Sequence, residues 1–236
     1  MSLLPKLNNV PKYNITIPSM KKEVSVRPFL VKEEKIMLIA MESQDAKQIA
    51  QAVIDTVRSC VLSEINVHEL TSYDVEYLFL QIRSKSVGET AKLLFKCDDC
   101  QEENEVNIKT DDINIDVKTS KDTINITDKI SIEMRHPSFI SLAKSEDVIN
   151  DSPTHQIFGL IKEAIVAVMT DDNRVDMREV SFEEYQEFLE SMTQEQFGLI
   201  REYIQSIPKL THDIEYTCTK CNKENKVMLE GLQSFL

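Results

Sequence analysis

The sequence of 236 residues has no tryptophan and only four glycines. Loops that bind phosphate groups depend on the backbone freedom of glycine, because the chain must approach the ligand closely. Neither GxGxxG nor GxxxxGKS/T occurs in the sequence. The large nucleotide-binding families are therefore poor candidates for this chain.

Basic residues are also scarce. The 27 lysines and arginines stand against 40 aspartates and glutamates, which gives a net charge of −13. A surface that binds nucleic acid needs clustered lysine and arginine to neutralise phosphates. The sequence therefore predicts no nucleic-acid partner.

Long apolar runs are absent, and none approaches the roughly 20 residues that a membrane-spanning helix needs. We therefore predict no membrane span. The first residues lack an apolar core of signal-peptide length, so we do not expect secretion by that route. Paired CxxC motifs with one further cysteine fit a reducing compartment better than a disulfide framework. We expect the chain to work, or to assemble, in a cytoplasm.

Motifs of catalysis are missing as well. The sequence has no HExxH, no paired HxxxH and no serine or cysteine in a recognisable nucleophile motif. Its carboxylates are scattered along predicted helix faces, which is typical of a solvated surface, although such a face could also dock a basic partner. We predict no catalytic residue and structural roles for the four histidines: His68, His136, His155 and His212.

One motif occurs twice, with its two copies 121 residues apart. The first copy, LFKCDDCQEENEVNI, occupies residues 94–108, and the second, YTCTKCNKENKVML, occupies residues 216–229. In both copies CxxC is followed by the same Glu-Asn pair and, one residue later, by valine. The shared flanking residues indicate that the two CxxC turns form related structures.

The two turns together predict a metal site. A CxxC turn lets two thiolates point at one ion, and two such turns complete a tetrahedral site for structural zinc, with no open position for catalysis. Two other interpretations remain. One is a redox-active cysteine pair, although such a pair would favour a CxxC at a helix start. The second is a former metal site that has lost its metal. The predicted ligands are Cys97, Cys100, Cys218 and Cys221.

The fifth cysteine, Cys60, lies in a helical pattern between apolar residues. We predict a buried structural thiol and not a nucleophile.

Hydrophobic periodicity predicts an α+β fold. Alternating residues at 13–17 and 24–27 indicate a short hairpin, and residues 31–42, 46–62 and 72–86 read as helices. Residues 89–135 read as β-structure that carries the first CxxC hairpin. Beyond it, Pro153 opens a predicted helix that includes Val168. Helices from Ser181 to Met192 and from Thr193 to Ile207 follow, and the second CxxC hairpin comes last.

This order predicts mainly helical lobes joined by a small β module with a zinc-ribbon-like site. We divide the chain into an N-terminal hairpin with a helical lobe at 1–88, a β section at 89–135, a second helical lobe at 136–208, and the second CxxC hairpin at 209–236.

The amino-terminal sequence carries a resemblance. Residues 4–7 read LPKL, residues 11–19 read PKYNITIPS, and residues 26–42 read VRPFLVKEEKIMLIAME. This opening resembles the baseplate hub protein family of T4-like contractile-tailed bacteriophages, closely over roughly the first 45 residues. Beyond them the similarity is one of layout, namely length, the helices that follow and the two CxxC positions.

The resemblance implies a non-enzymatic protein of the baseplate hub, either a structural subunit or an assembly factor. Its partners would be other baseplate and tail proteins, with several copies favoured by a symmetric tail. It would assemble in the host cytoplasm and belong to the virion tail. The amino-terminal hairpin and the turn at residues 27–31 together form a candidate interaction surface, unless this segment only packs the amino terminus onto the helices.

Two other function classes remain as alternatives. A cellular zinc-ribbon adaptor of transcription or translation would need a basic or aromatic face on the ribbon. Counted together, the residues around the two CxxC motifs include six aspartates and glutamates against four lysines, so the balance is acidic. A hydrolase within the acidic surface would need carboxylates that converge in space.

Overall fold

The computed structural model describes residues 9–110, 113–115, 117, 122–141 and 153–235. Helices and several small antiparallel sheets make up this part of the chain, which confirms the predicted α+β class. The helices are α1 (Val31–Ser43), α2 (Ala46–Cys60), α3 (Ser72–Val87), α4 (Pro153–Ala164), α5 (Phe182–Glu190) and α6 (Gln194–Ser206). The strands are β1 (Tyr13–Ile17), β2 (Lys22–Val26), β3 (Thr90–Lys96), β4 (Glu103–Lys109), β5 (Asn114–Ile115), β6 (Thr123–Asn125), β7 (Ile130–Met134), β8 (Ile165–Thr170), β9 (Arg174–Asp176), β10 (Leu210–Thr217) and β11 (Glu224–Glu230).

The described residues form two units. One unit takes residues from 1–67, 73–116 and 209–236, and the other from 68–72 and 117–208. Both CxxC hairpins belong to the first unit, although more than 100 residues separate them in the chain. The division of the sequence at residues 88, 135 and 208 stays a prediction.

The first unit begins with the predicted hairpin of β1 and β2. Alternate side chains of the two strands face the core, as the period of two in a strand requires. Asp74 of α3 holds the hairpin turn, because its carboxylate accepts hydrogen bonds from the N–H (2.9 Å) and the hydroxyl (2.6 Å) of Ser19. The buried apolar side chains of the hairpin are Ile15, Ile17, Val24 and Val26.

Helix α2 shows how the sequence sets a helix boundary and its buried face. The carboxylate of Asp45 caps the helix by accepting hydrogen bonds from the N–H groups of Lys47 and Gln48. At the other end Cys60 is fully buried, as its pattern predicts, and burial raises the pKa of its thiol to about 11. An inert, neutral thiol is therefore expected at this position.

The two CxxC hairpins pack near α3. Strands β3 and β4 form one antiparallel hairpin, and β10 and β11 form the other, with β5 added at the edge of β10. Apolar side chains from α3, from these strands and from the residue before β5 form one cluster, which comprises Leu80, Ile108, Ile113, Leu210, Ile214 and Leu229.

The second unit packs α4, α5 and α6 with a sheet in the order β6-β7-β8-β9. Capping boxes begin both later helices as predicted, with Ser181 at α5 and Thr193 at α6. Tyr185 is buried at the centre, and its hydroxyl donates a hydrogen bond to the carbonyl oxygen of Phe158. The buried cluster comprises Ile132, Met134, Ile161, Ala164, Ile165, Met177, Tyr185, Leu189, Ile200 and Tyr203.

The predicted helix through Val168 is wrong beyond Ala164. Residues 165–170 form the strand β8, which pairs with β7 on one side and β9 on the other. The segment IVAVMT is rich in β-branched residues, and these favour a pleated, half-buried strand. Pairing on both sides satisfies its backbone, so tertiary contacts decide against the apparent helical spacing.

A half-buried carboxylate on α3 makes the stability of the first unit depend on pH. Burial raises the pKa of Glu76 to about 7, against the smaller opposing effects of the N–H of Leu232 and the charge of Lys209. Because this pKa is raised on folding, Glu76 contributes stability below pH 4.5 that is lost as the pH rises towards 7.

We therefore expect Glu76→Gln to raise the unfolding free energy at pH 8 by about 1–3 kcal/mol and to leave it nearly unchanged at pH 4.5. Urea unfolding at both pH values measures the difference. The matched control is Glu64→Gln, which changes an exposed carboxylate of the same unit and should have little effect at either pH. Equal effects of the two variants would contradict the assignment.

Candidate metal centre

The first CxxC forms the turn between β3 and β4. The N–H of Cys97 donates to the carbonyl oxygen of Glu102 (2.9 Å), and the N–H of Gln101 donates to the carbonyl oxygen of Cys97 (3.0 Å). Gln101 has a φ of 58°, so the chain passes through the left-handed region immediately after the second cysteine. This tight turn turns both thiols towards the same side of the hairpin.

The second CxxC repeats this geometry position by position. The N–H of Cys218 donates to the carbonyl oxygen of Lys223 (2.8 Å), and the N–H of Asn222 donates to the carbonyl oxygen of Cys218 (3.0 Å). Asn222 also has a φ of 58°. The sequence repeat is therefore a repeat of backbone structure.

The two turns bring all four predicted cysteines together. Cys97 Sγ lies 3.6 Å from Cys221 Sγ, and Cys100 Sγ lies 3.5 Å from Cys218 Sγ. All four sulfur atoms lie within 4.8 Å of one another, and all four cysteines are free thiols. Four sulfurs around one zinc at about 2.3 Å stand about 3.8 Å apart, so this donor set fits a tetrahedral ion.

Backbone N–H groups point at the first cysteine of each turn. The N–H groups of Cys100 and Asp99 lower the pKa of Cys97. In the second turn, those of Cys221 and Lys220 lower the pKa of Cys218 to about 6. Since a thiolate is the form that binds a metal, these amides favour ligation.

The second cysteine of each turn behaves differently. A backbone N–H from Lys223 acts to lower the pKa of Cys221, but desolvation and the three neighbouring thiols raise it to about 12. The pKa of Cys100 is also raised, although the N–H of Glu102 opposes the change. Four thiolates this close repel one another, and a divalent cation would offset that repulsion.

Two asparagines tie each hairpin to the turn of the other. Oδ1 of Asn104 accepts hydrogen bonds from the N–H (2.8 Å) and hydroxyl (3.0 Å) of Thr219, and its Nδ2 lies 3.7 Å from Cys218 Sγ. In return, Oδ1 of Asn225 accepts a hydrogen bond from the N–H of Asp98 (3.2 Å). Both asparagines are buried.

The cysteine motif alone does not identify these asparagines as part of the site. The signal for them in the sequence is the Glu-Asn pair that follows each CxxC.

Further contacts join the hairpins around the cysteines. The rings of Phe95 and Tyr216, which occupy equivalent positions of the repeat, stack with centroids 5.8 Å apart. The hydroxyl of Tyr216 donates to the carbonyl oxygen of Lys96 (3.1 Å). Nζ of Lys220 lies 2.7 Å from Oε2 of Glu102 in the other hairpin. The cysteine cluster therefore sits between two hairpins that also contact each other directly.

We expect Asn104→Ala to speed the loss of bound zinc to a chelator about tenfold, because the Thr219 N–H loses its acceptor and a sulfur loses its neighbouring amide. Asn225→Ala should have a smaller effect, since it removes one bond between the hairpins. A colorimetric zinc chelator measures both rates. The control is Asn107→Ala, an exposed position on the same strand as Asn104. Identical rates in all three variants would contradict a role for the asparagines.

Among the described residues, this is the one group of three or more His, Cys, Asp or Glu side chains close enough to hold an ion. Neither CxxC begins a helix; each lies in a hairpin turn. The arrangement is suited to holding an ion enclosed by sulfur.

Comparison with known families addresses what kind of protein carries this site. The family model described as T4 bacteriophage base plate protein matches residues 10–236, nearly the whole chain. The chain belongs to this family. Comparisons with curated proteins and with solved structures found no match.

The family match confirms the resemblance to T4-like baseplate proteins from residue 10 onward and extends it through both CxxC hairpins. It supports a phage baseplate role with other baseplate and tail proteins as partners. No helix in the described ranges is long and apolar enough to cross a membrane.

Proposed function

We propose that this chain is a non-enzymatic structural or assembly protein of the baseplate hub of a contractile phage tail. The family match over residues 10–236 carries this proposal. The close likeness of residues 26–42 to the hub family favours the hub over other parts of the baseplate. The chain would assemble in the host cytoplasm and become part of the virion tail.

The role of the cysteine cluster in this proposal is mechanical. Cys97, Cys100, Cys218 and Cys221 hold one structural zinc ion and form a zinc-ribbon-like module. When bound, the ion supplies charge and fixed geometry and no open coordination position. The ligands come from two hairpins far apart in the chain, so the ion links these hairpins in the folded state, and its binding free energy adds to the free energy of unfolding.

The non-enzymatic assignment rests on the same chemistry. Four cysteine ligands leave no position for water or substrate on the ion. A cellular zinc-ribbon adaptor receives no support from the family match, and the two CxxC turns taken together carry more acidic than basic residues. A baseplate role therefore accounts for more of the chain than either alternative.

A phage that carries a nonsense codon in the gene for this chain tests the proposal. In a host that does not suppress the codon, we expect particles without complete baseplates by electron microscopy, and a plasmid copy should restore them. Complete baseplates in the absence of the chain would contradict the proposal. Mass spectrometry of purified virions then distinguishes a retained hub subunit from an assembly factor that leaves.

A further inference from the structure

Helix α1 exposes an unusual number of apolar side chains. Thirteen large apolar residues are exposed in the described part of the chain, and six of them lie within residues 30–41. Exposed apolar residues are ordinary when they are scattered, but a concentration on one element indicates a contact surface. These six are Leu30, Val31, Ile36, Leu38, Ile39 and Met41.

The inner and outer faces of α1 differ in what they contact. Glu33, Met37 and Ala40 lie on the inner face and are buried in the first unit. The outer face is defined by residues spaced three or four apart, which share one side of a helix. We call this set the outer stripe, and its residues are Val31, Lys35, Leu38, Ile39 and Glu42.

The charged side chains of the outer stripe have no partners in the part of the chain that the structure describes. Neither Lys35 nor Glu42 forms an ion pair or a side-chain hydrogen bond with any described residue. They stand seven residues apart, or about 10 Å along the helix axis, so they cannot pair with each other. Leu38 and Ile39 lie midway between them and are 55% and 54% exposed.

We propose that the outer stripe of α1 binds the same stripe of a second copy of this chain, with the two helices antiparallel about a two-fold axis. With the axis near Leu38 and Ile39, Lys35 of each copy stands opposite Glu42 of the other. The apolar pair of one copy then packs against that of the second. Such a contact is isologous, so it closes into a dimer.

Charge complementarity favours a second copy over an unrelated partner. The stripe carries one positive and one negative charge at equal distances from its apolar centre, and only an antiparallel copy of itself is guaranteed to match that pattern. The net charge of −13 opposes association at long range. Salt screens that long-range repulsion.

The contact is a weak one by size. Packing of a single helix pair buries less than the roughly 1,200 Å² of a stable interface. We therefore expect a dissociation constant of about 10–100 µM for the dimer. High local concentration in an assembling particle would raise occupancy without any change in affinity.

Charge reversal tests the pairing by sedimentation velocity on the full chain over a concentration series. Lys35→Glu and Glu42→Lys should each weaken dimerisation about tenfold or more, because each places like charges opposite one another twice. The double variant K35E/E42K should restore it to within about threefold of the original, because both pairs are then complementary again. Lys129→Glu makes the same charge change at an exposed position outside α1 and should leave dimerisation unchanged, apart from repulsion that salt removes.

Each outcome decides the matter. A monomer at about 100 µM, with the outer stripe free for another protein, overturns the proposal. So does a dimer that the single reversals do not weaken, or one that the double variant does not recover. If either reversal loses its fold by circular dichroism, Leu38→Gln carries the test, because removal of the apolar centre should also weaken the dimer. None of these results depends on zinc or on the baseplate role.

Discussion

Replacing Cys218 with serine is expected to abolish the binding of one zinc per chain and to lower Tm by more than about 10 °C. The variant removes the ligand whose thiol has the pKa lowered to about 6, and it leaves three thiols that cannot close a tetrahedron. Native mass spectrometry gives the metal stoichiometry, and differential scanning calorimetry gives Tm. Removal of zinc from the unaltered chain by a chelator should lower Tm by a similar amount.

The chain offers its own control for this experiment. Cys60→Ala removes the one cysteine outside the cluster, so it should keep one zinc per chain even if it loses some packing. In Cys218→Ser, hydrogen exchange should show lower amide protection at residues 90–109 and 210–230, whereas the second unit should stay protected. Full stability of Cys218→Ser without metal would contradict the structural role of zinc. Bound iron with visible absorbance would keep the four-thiolate site and change its metal.

The structure explains why the cysteine cluster could be predicted from sequence. The sequence holds two copies of a local motif, and the geometry of each turn follows from residues that are adjacent in the chain. Cys97 and Cys218 occupy the same place in the repeat, so one turn geometry accounts for both. Metal chemistry then requires that the two turns meet, because two cysteines alone do not complete a tetrahedral site.

The asparagines at the site were harder to predict because their role is not local. Asn104 contacts Thr219, which lies 115 positions away in the sequence. Only the approach of the two hairpins creates this bond, and the composition of either hairpin alone does not require it. The repeated Glu-Asn pair marks these positions in the sequence. The hydrogen bonds that the asparagines form can be identified only from the folded structure.

Strand β8 is a case in which the local sequence fits both a helix and a strand. Residues 153–168 have apolar positions at helical spacing, and those of 165–170 also suit a strand. Local sequence cannot decide between the two, because the preference depends on whether β7 and β9 are available as partners. The sequence carries no clear signal for the short β9, so helical periodicity extends the predicted helix four residues beyond Ala164.

The turn between β2 and α1 was considered as an interaction surface or as packing, and its contacts support packing. The N–H of Arg27 donates to the carbonyl oxygen of Cys60 (2.9 Å), and the N–H of Phe29 donates to the hydroxyl of Ser86 (2.7 Å). The ring of Phe29 lies against that of Phe79 with centroids 5.5 Å apart. The turn thus contacts α2 and α3, and its exposed apolar side chains are those of its last two residues, Leu30 and Val31.

A buried ion pair fixes this turn. Nη2 of Arg27 lies 2.8 Å from Oε1 of Glu33, whose side chain is only 2% exposed. Oε2 of Glu33 accepts a hydrogen bond from the N–H of Leu30 (2.9 Å), which caps the first turn of α1. Burial acts to raise the pKa of Glu33, but the bonds from Arg27, Leu30 and Lys32 together hold it below its usual value.

We expect Arg27→Met to lower the unfolding free energy by about 3 kcal/mol at pH 8, because it leaves a buried carboxylate without its guanidinium. In the unaltered chain the pKa of Glu33 is lowered on folding. Its contribution to the unfolding free energy is therefore present above pH 4.5 and is lost as the pH falls. In the variant, burial would raise the pKa of Glu33 above 4.5, so more of the carboxyl group is neutral at pH 5 than at pH 8. The substitution should therefore lower the unfolding free energy less at pH 5 than at pH 8. Urea unfolding at both pH values measures this reversal.

Lys32→Met is the matched control for this ion pair, since it also removes a cation next to the same carboxylate. Nζ of Lys32 lies 3.3 Å from Oε1 of Glu33, but its side chain is 65% exposed. Water screens that contact, so the control should cost less than about 1 kcal/mol at either pH. The difference between the two losses of unfolding free energy then measures how much more a buried cation next to Glu33 contributes than an exposed one. Equal losses from both would show that the Arg27 pair is no stronger than a surface contact, and that packing alone holds the entry to α1.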